Sequence, residues 1–266
     1  MNVLDLFSGI GGFSLGLERA GMRTVAFCEI EPYCRAVLRK HWPNVPIFED
    51  IRTLTADDIT ETVDVICGGF PCQDISGAGA QAGLNQGTRS GLWSELVRLI
   101  DEIRPQYAIV ENVTNLLNGP SEQHGKWFGR VLGDLAEIGY DAEWECIFSQ
   151  DVGVPQSRPR VYIVAYPSLQ NCKPLFSQIP EHVEGYRAWL DAKGGEHADL
   201  DNENSGSCTL SVLGNIEWAA VPNRERSGNN ERLSLGLDRY KGLGNSVTPQ
   251  IPEIIGKAIM QQIHGG

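Results

Sequence analysis

Four short apolar runs, each ending in glycine, an acid or a cysteine, constrain this chain more than any other feature. Asn2–Leu6 reads as a strand that runs into Phe7-Ser8-Gly9-Ile10-Gly11-Gly12. A helix carrying Phe13, Leu15, Leu17 and Ala20 follows, and Gly21 can cap it. Arg23–Cys28 is a second strand ending in Glu29, and Pro32 suits the first turn of a helix that continues through Tyr33–His41. A short strand near Pro46–Phe48 ends at Glu49-Asp50, and Val63–Cys67 is the fourth. Strand, helix, strand, helix in units of this size predicts an α/β fold with a doubly wound, mostly parallel sheet. Helix Leu92–Ile103, strand Ala108–Val110 and helix Lys126–Ile138 extend the pattern. The last two strands, Glu143–Phe148 and Arg160–Ala165, are joined by Gln150–Pro159, which is too short for a crossover helix, so this pair is expected to be antiparallel.

From Pro167 the pattern changes. Acids dominate from Glu181 to Glu203, and from Arg224 to Lys241 the balance reverses, leaving one basic stripe in a chain of net charge −12. Such a balance is awkward for a nucleic-acid binder unless its cations are clustered. Ile251, Ile254, Ile255, Ala258, Ile259 and Ile263 then fall on one helical face that should return to the main sheet. The expected organisation is therefore a main domain over 1–166, a small inserted domain over 167–238, and a C-terminal segment over 239–266 completing the main domain. No apolar run is long enough to span a bilayer, and the start MNVLDLFSG lacks a basic leader, which predicts a cytoplasmic protein that avoids membranes. Seven cysteines without a Cys-x-x-Cys pair argue for reduced thiols, and against a disulfide frame or a metal site.

Chemistry-bearing residues gather where strands end. The Phe7–Gly12 loop lets the backbone approach a ligand closely, as in dinucleotide-binding enzymes. Glu29 lies where an acid can bind ribose hydroxyls, although a surface acid ahead of a helix reads the same way. Asp50 could equally cap a turn. Val65-Ile66-Cys67-Gly68-Gly69-Phe70-Pro71-Cys72-Gln73 breaks at two glycines and delivers a thiol after a rigid bend, either as a nucleophile or as a buried filler. Glu111 leaves the sheet at the same edge, where apolar neighbours can raise its pKa, or where it is an ordinary strand-terminal acid. Arg158 and Arg160, within Gln156-Ser157-Arg158-Pro159-Arg160, read in isolation as salt-bridge formers.

Taken in order, Asp5–Gly12, Gly69-Phe70-Pro71-Cys72-Gln73, Arg89-Ser90-Gly91-Leu92-Trp93, Glu111-Asn112-Val113, Gln156–Arg160 and Gly244-Asn245-Ser246-Val247 resemble the DNA (cytosine-5)-methyltransferases over almost the whole chain. The Pro167–Asp238 insertion stands where that family places its variable target-recognition domain. The resemblance implies S-adenosylmethionine as cofactor, held by Phe7, Ser8, Gly9, Ile10, Gly11 and Gly12. Glu29 would take its ribose and Asp50 its adenine amino group, with Ile30, Ile51, Gly69, Pro71, Leu92, Asn245 and Ser246 completing the pocket. It implies Cys72 as nucleophile, Glu111 as acid, and Arg158 and Arg160 as the residues that hold the cytosine. DNA contacts would fall to Gln73, Ser76, Arg89, Arg224, Arg226 and Arg232, with Ser76–Ser90 as a lid closing over a flipped base. The expected partner is duplex DNA, acted on by a monomer, and a cognate restriction endonuclease is left open as a second partner. Two departures stand out: Arg89 is the only cation in that lid, and Ile30 replaces an aromatic found in some relatives. An RNA (tRNA) methyltransferase of similar fold is the nearest alternative; the Pro-Cys-Gln triplet and the insertion favour DNA. A catalytically silent DNA-binding module would be expected to have lost residues that are all present here, and an oxidoreductase rests on the glycine loop alone.

Overall fold

The computed structural model describes residues 1–71, 92–119, 125–154, 158–168, 174–176 and 246–264. Seven strands form one sheet in the order β3-β2-β1-β4-β5-β7-β6. They are β1 (Asn2–Leu6), β2 (Arg23–Cys28), β3 (Ile47–Phe48), β4 (Val65–Gly69), β5 (Tyr107–Val113), β6 (Tyr140–Phe148) and β7 (Pro159–Pro167). The first five pair in parallel, while β7 runs antiparallel between β5 and β6, as the short β6–β7 link requires. The acid of β5 therefore lies within the strand, because β5 continues three residues past Val110 to Val113.

Helices cover both faces, so the central strands are apolar on both sides. On one face α1 (Gly12–Arg19) and α6 (Gln250–His264) pack Phe13, Leu17, Ile251, Ile254, Ile255 and Ile259 against Val3, Val65, Ile109 and Val164. On the other, α3 (Trp93–Ile103) and α5 (Lys126–Glu137) bring Leu96, Leu99, Ile100, Val131 and Leu135 onto Leu4, Ile66, Val110 and Ile163. Between these helices, α2 (Pro32–His41) starts on a proline and α4 (Asn115–Asn118) is a single turn. No described helix is long and apolar enough to cross a membrane.

The close fit of α1 and α6 depends on two glycines. A Cβ on Gly16 would lie 2.2 Å from the Pro249 carbonyl oxygen, and one on Gly12 would lie 2.5 Å from that of Val247. Small residues there let the chain segment 246–249 run directly against the start of α1. Leu175 and Phe176 also pack into the α1–α6 core, with their N–H groups donating to the Glu143 carboxylate at 2.8 and 3.0 Å. Ser168, Leu175 and Phe176, beyond Pro167, thus also lie on the main body. Most of the expected 167–238 domain lies outside the described residues.

Candidate active site

The carboxyl ends of β1, β2, β4 and β5 meet at one edge of the sheet, where doubly wound folds bind ligands. Beyond β1 the chain turns through three left-handed residues, Phe7 (φ 53), Gly9 (φ 54) and Gly11 (φ 88). Phe7 carries the strain of that conformation with a full side chain, at a cost of about 1–3 kcal/mol. Gly11 has a second reason to be glycine, since a Cβ would come within 2.6 Å of the Trp42 ring. That ring is fixed by Nε1 donating to the Glu18 carboxylate and by edge contact with Phe27. The loop is tied at its base by Ser8 Oγ donating to the Asp5 carbonyl at 2.6 Å and by the Ser8 N–H donating to the Cys28 carbonyl at 3.2 Å.

Asp5 anchors the loop from below. Its Oδ2 accepts from the Ser14 N–H at 3.2 Å and Ser14 Oγ at 2.7 Å, capping the first turn of α1 from a neighbouring strand. Its Oδ1 is buried without a hydrogen-bond partner. Burial pushes the Asp5 carboxyl up to about 7, against the pull of the Ser14 hydrogen bonds.

Glu29 joins this loop to the next turn. Its Oε2 accepts from the Gly9 N–H at 2.6 Å and its Oε1 from the Glu31 N–H at 2.7 Å. Burial raises its pKa, and the two backbone donors oppose that rise. Asp50, one strand away, is gripped by its near neighbour Arg52, whose hydrogen bonds hold its carboxyl below the usual range. The edge is an acidic field: burial and the carboxylates of Glu29, Asp50 and Asp5 push the Cys28 thiol up to about 12. Ile30 is 59% exposed beside it, whereas Ile10 and Ile51 turn their side chains into the core. Above Gly9 there is open space, since an added Cβ would meet nothing within 4 Å.

On the other side of β1 the groups belong to β4, β5 and β7. Glu111 pairs with Gly69 across the parallel ladder and with Tyr162 across the antiparallel one. Gly69 leaves room for the acid, because a Cβ there would lie 2.9 Å from Glu111 Oε2. Arg160, diagonal to Glu111 on the same face, places Nε 2.9 Å from Glu111 Oε1. Burial raises the Glu111 pKa, while Arg160 and then Arg158 pull it down. Arg158 Nη1 donates to the Ser246 carbonyl at 2.8 Å, and Ser149 Oγ lies 3.0 Å from Thr248 Oγ1. Two distant stretches of chain are stitched together here. Leu92, expected in the pocket, precedes α3 and is half-buried against the core.

The structure therefore brings Phe7–Gly12, Glu29, Asp50, Gly69, Pro71, Glu111, Arg158, Arg160 and Ser246 to one side of the molecule. Cys72, Gln73, Ser76, Arg89, Arg224, Arg226, Arg232, Asn245 and the Ser76–Ser90 lid lie outside the described residues.

Two contributors carried no role in the sequence reading. Asp5 was signalled by a charge inside the otherwise apolar run Val3–Leu6. Asn112 faces away from Glu111, and its Nδ2 donates at 3.1 Å to the carbonyl of Phe70, immediately before Pro71. Alternation along a strand places these two neighbours on opposite faces, Glu111 toward Arg160 and Asn112 toward the chain that leads to Cys72.

The sequence profile described as C-5 cytosine-specific DNA methylase matches residues 1–216. The Type II methyltransferase M2.BsuMI of Bacillus subtilis is 38% identical over 169 residues, 62% of this chain and 42% of that protein. The Type II methyltransferase M.Sau3AI of Staphylococcus aureus is 33% identical over 217 residues, 77% of this chain and 52% of that protein. This chain thus spans about half the length of those curated relatives. Among solved structures, a putative DNA modification methyltransferase encoded within an E. coli prophage shares the fold, with a TM-score of 0.62 over 99% of both chains at 18% identity.

Proposed function

The chain belongs to the C-5 cytosine-specific DNA methylase family, and from that premise we propose that it methylates carbon 5 of cytosine in a specific duplex DNA sequence, with S-adenosylmethionine as donor. The observation that carries this reading is the buried Glu111 carboxyl, held by Arg160, on the strand beside the one that leads into Pro71 and Cys72.

The cofactor edge fits the proposed donor in three ways. The left-handed loop keeps its backbone clear above Gly9, Glu29 offers a fixed carboxylate beside it, and the surrounding acids favour a cationic sulfonium. Phe7–Gly12 would line the donor, with Glu29 at its ribose, Asp50 at its adenine, and Ile30, Ile51, Gly69, Pro71, Leu92, Asn245 and Ser246 around them. When bound, S-adenosylmethionine supplies an electrophilic methyl group.

The protein must make carbon 5 of cytosine nucleophilic. In this reading the Cys72 thiolate adds to carbon 6, and the electron pair displaced from the 5,6 double bond makes carbon 5 enamine-like. Glu111, its pKa raised by burial, holds a proton at ring nitrogen 3 as negative charge develops there. Arg160, and Arg158 beside it, add positive charge near the base carbonyl. Once carbon 5 carries its methyl group, loss of its proton and release of Cys72 restore the aromatic ring. The base must leave the duplex for any of this, at a cost of a few kcal/mol. The Ser76–Ser90 segment would close over it, and Gln73, Ser76, Arg89, Arg224, Arg226 and Arg232 would contact DNA.

Tritium transfer from labelled S-adenosylmethionine, assayed side by side on duplex DNA and total tRNA, tests the proposal. Incorporation into DNA at cytosine carbon 5 is expected, with a loss of at least about a thousandfold in Cys72→Ser while cofactor affinity is retained. Label in tRNA alone would reassign the substrate, and full activity in Cys72→Ser would remove the covalent mechanism.

A further inference from the structure

Arg35 belongs to none of the motifs above, yet its side chain is only 11% exposed and spans two turns of the cofactor edge. Its Nη1 donates to the carbonyl oxygens of Glu29 at 3.2 Å and Ile30 at 2.5 Å, and its Nη2 lies 3.2 Å from the Glu49 carboxylate. The first turn leaves β2 and presents Glu29; the second leaves β3 and presents Asp50. β3 is only two residues long, pairing Phe27 with Ile47 and Cys28 with Phe48, and the main chain joins the two turns where the Glu29 N–H donates to the Phe48 carbonyl at 2.9 Å; Ile30 and Glu49, beyond that bond, lie outside the ladder. The far side of the second turn is already held by α3, where Arg98 Nη2 donates to the carbonyls of Ile51 and Leu54 at 2.9 and 2.8 Å.

A guanidinium suits a tie of this shape, because its planar fork reaches two carbonyls and a carboxylate at once, whereas an ammonium is a point donor. The arrangement also carries a cost, since Arg35 Nε is buried without a hydrogen-bond partner. An exposed salt bridge would carry no such penalty. Movement of the Glu29 turn would also reach the glycine loop, because the same Glu29 carboxylate receives the Gly9 N–H.

We propose that Arg35 is a positioning residue for the cofactor: by bracing the Glu29–Ile30 turn against Glu49, it sets the separation of the Glu29 and Asp50 carboxylates and hence the fit of ribose and adenine between them. The inference rests on the cofactor assignment made under Proposed function. Calorimetric titration of S-adenosylmethionine into the wild-type chain, Arg35→Lys and Glu49→Gln tests it, alongside thermal melts and steady-state kinetics. Arg35→Lys is expected to weaken cofactor affinity and raise the cofactor KM by about tenfold, with kcat at saturating cofactor falling far less. In the cofactor-free protein, amide exchange at Gly9 and Glu31 should accelerate. Glu49→Gln keeps both carbonyl contacts and should cost about two- to fivefold; at its exposed position it reads the same tie even if Arg35→Lys fails to fold. Unchanged cofactor affinity in the folded variants, with only a lower melting temperature, would make Arg35 structural and overturn the inference. A wild-type chain that binds no S-adenosylmethionine would remove the cofactor assignment and this inference together.

Discussion

From β3 to β1 the functional edge is built from main chain, whereas from β4 to β7 it is built from charged side chains. In the first region the loop shape rests on three left-handed residues, and Glu29 is fixed by two backbone N–H groups. In the second, Glu111 is fixed by Arg160, and Arg158 reaches out to a carbonyl of the C-terminal segment. Backbone held by side-chain-to-backbone hydrogen bonds shifts in shape when one of those side chains is altered, without leaving an unbalanced charge. A buried carboxyl balanced by a guanidinium fails in another way, because removing either partner leaves the other unmatched. The two regions should therefore fail differently, the first in binding and the second in chemistry.

Glu111→Gln should separate them most sharply. The amide keeps the shape but cannot hold the acid's proton or balance Arg160, so kcat is expected to fall by about 10²–10⁴-fold with cofactor affinity nearly unchanged. At pH above the raised Glu111 pKa, where the wild-type carboxylate balances Arg160, stability should drop by about 1–3 kcal/mol because the amide leaves the guanidinium unmatched. Single-turnover rates and a cofactor titration on the same preparation check both halves of this statement. Equal losses in rate and cofactor affinity would show that the two regions are not independent. The wild-type rate should also decline as pH rises past the elevated Glu111 pKa, since the protonated form is the one assigned to the reaction.

The same contrast explains how much could be read from sequence. The glycine loop, the acids at the ends of β2 and β3, and the antiparallel final pair were legible because local backbone demands leave local marks: glycine, proline, and a link too short to cross over. The tie from Arg158 to Ser246 joins residues 88 positions apart, and no local pattern records such a contact. Arg35 carries no local mark that sets it apart from any other cation on a helix. Asn112 was visible in a motif, but its role depended on which way a strand residue faces, and β5 proved longer than its apolar run because Glu111 is paired on both sides and Asn112 and Val113 continue the ladder with β7.

Two glycine substitutions sharpen the comparison at intermediate size. A Cβ at Gly12 would press on the Val247 carbonyl at 2.5 Å and on Ser246 Oγ at 3.2 Å. Gly12→Ala should therefore cost about 1–3 kcal/mol by overpacking, seen as a melting temperature lower by several degrees. Because Ser246 also receives Arg158, this variant is expected to lose rate as well as cofactor affinity. Gly9→Ala has open space and only the left-handed conformation against it, so it should lower stability by about 1–2 kcal/mol and, in function, change cofactor affinity and not the rate. If Gly12→Ala spared the rate, segment 246–249 would belong to the cofactor side only.

The smallest effect concerns Asp5, beneath the loop. Its carboxyl titrates at about 7 in the folded protein, against an ordinary value of 3.8. Between those values the folded chain binds more protons at this site than the unfolded chain does, so stability contributed by the protonated form declines as pH climbs through the window. Asp5→Asn keeps an oxygen to accept from Ser14 and has no proton to lose. Relative to wild type, the variant should gain roughly 1–2 kcal/mol between pH 6 and pH 8, measured as a widening gap in denaturant midpoint. The gain should appear in stability with little change in methyl transfer, because Asp5 acts through the backbone of α1 and not on the reacting base. A gap that stayed constant with pH would mean that Asp5 is ionised throughout, and that the main-chain region, like the Glu111 region, depends on a buried charge.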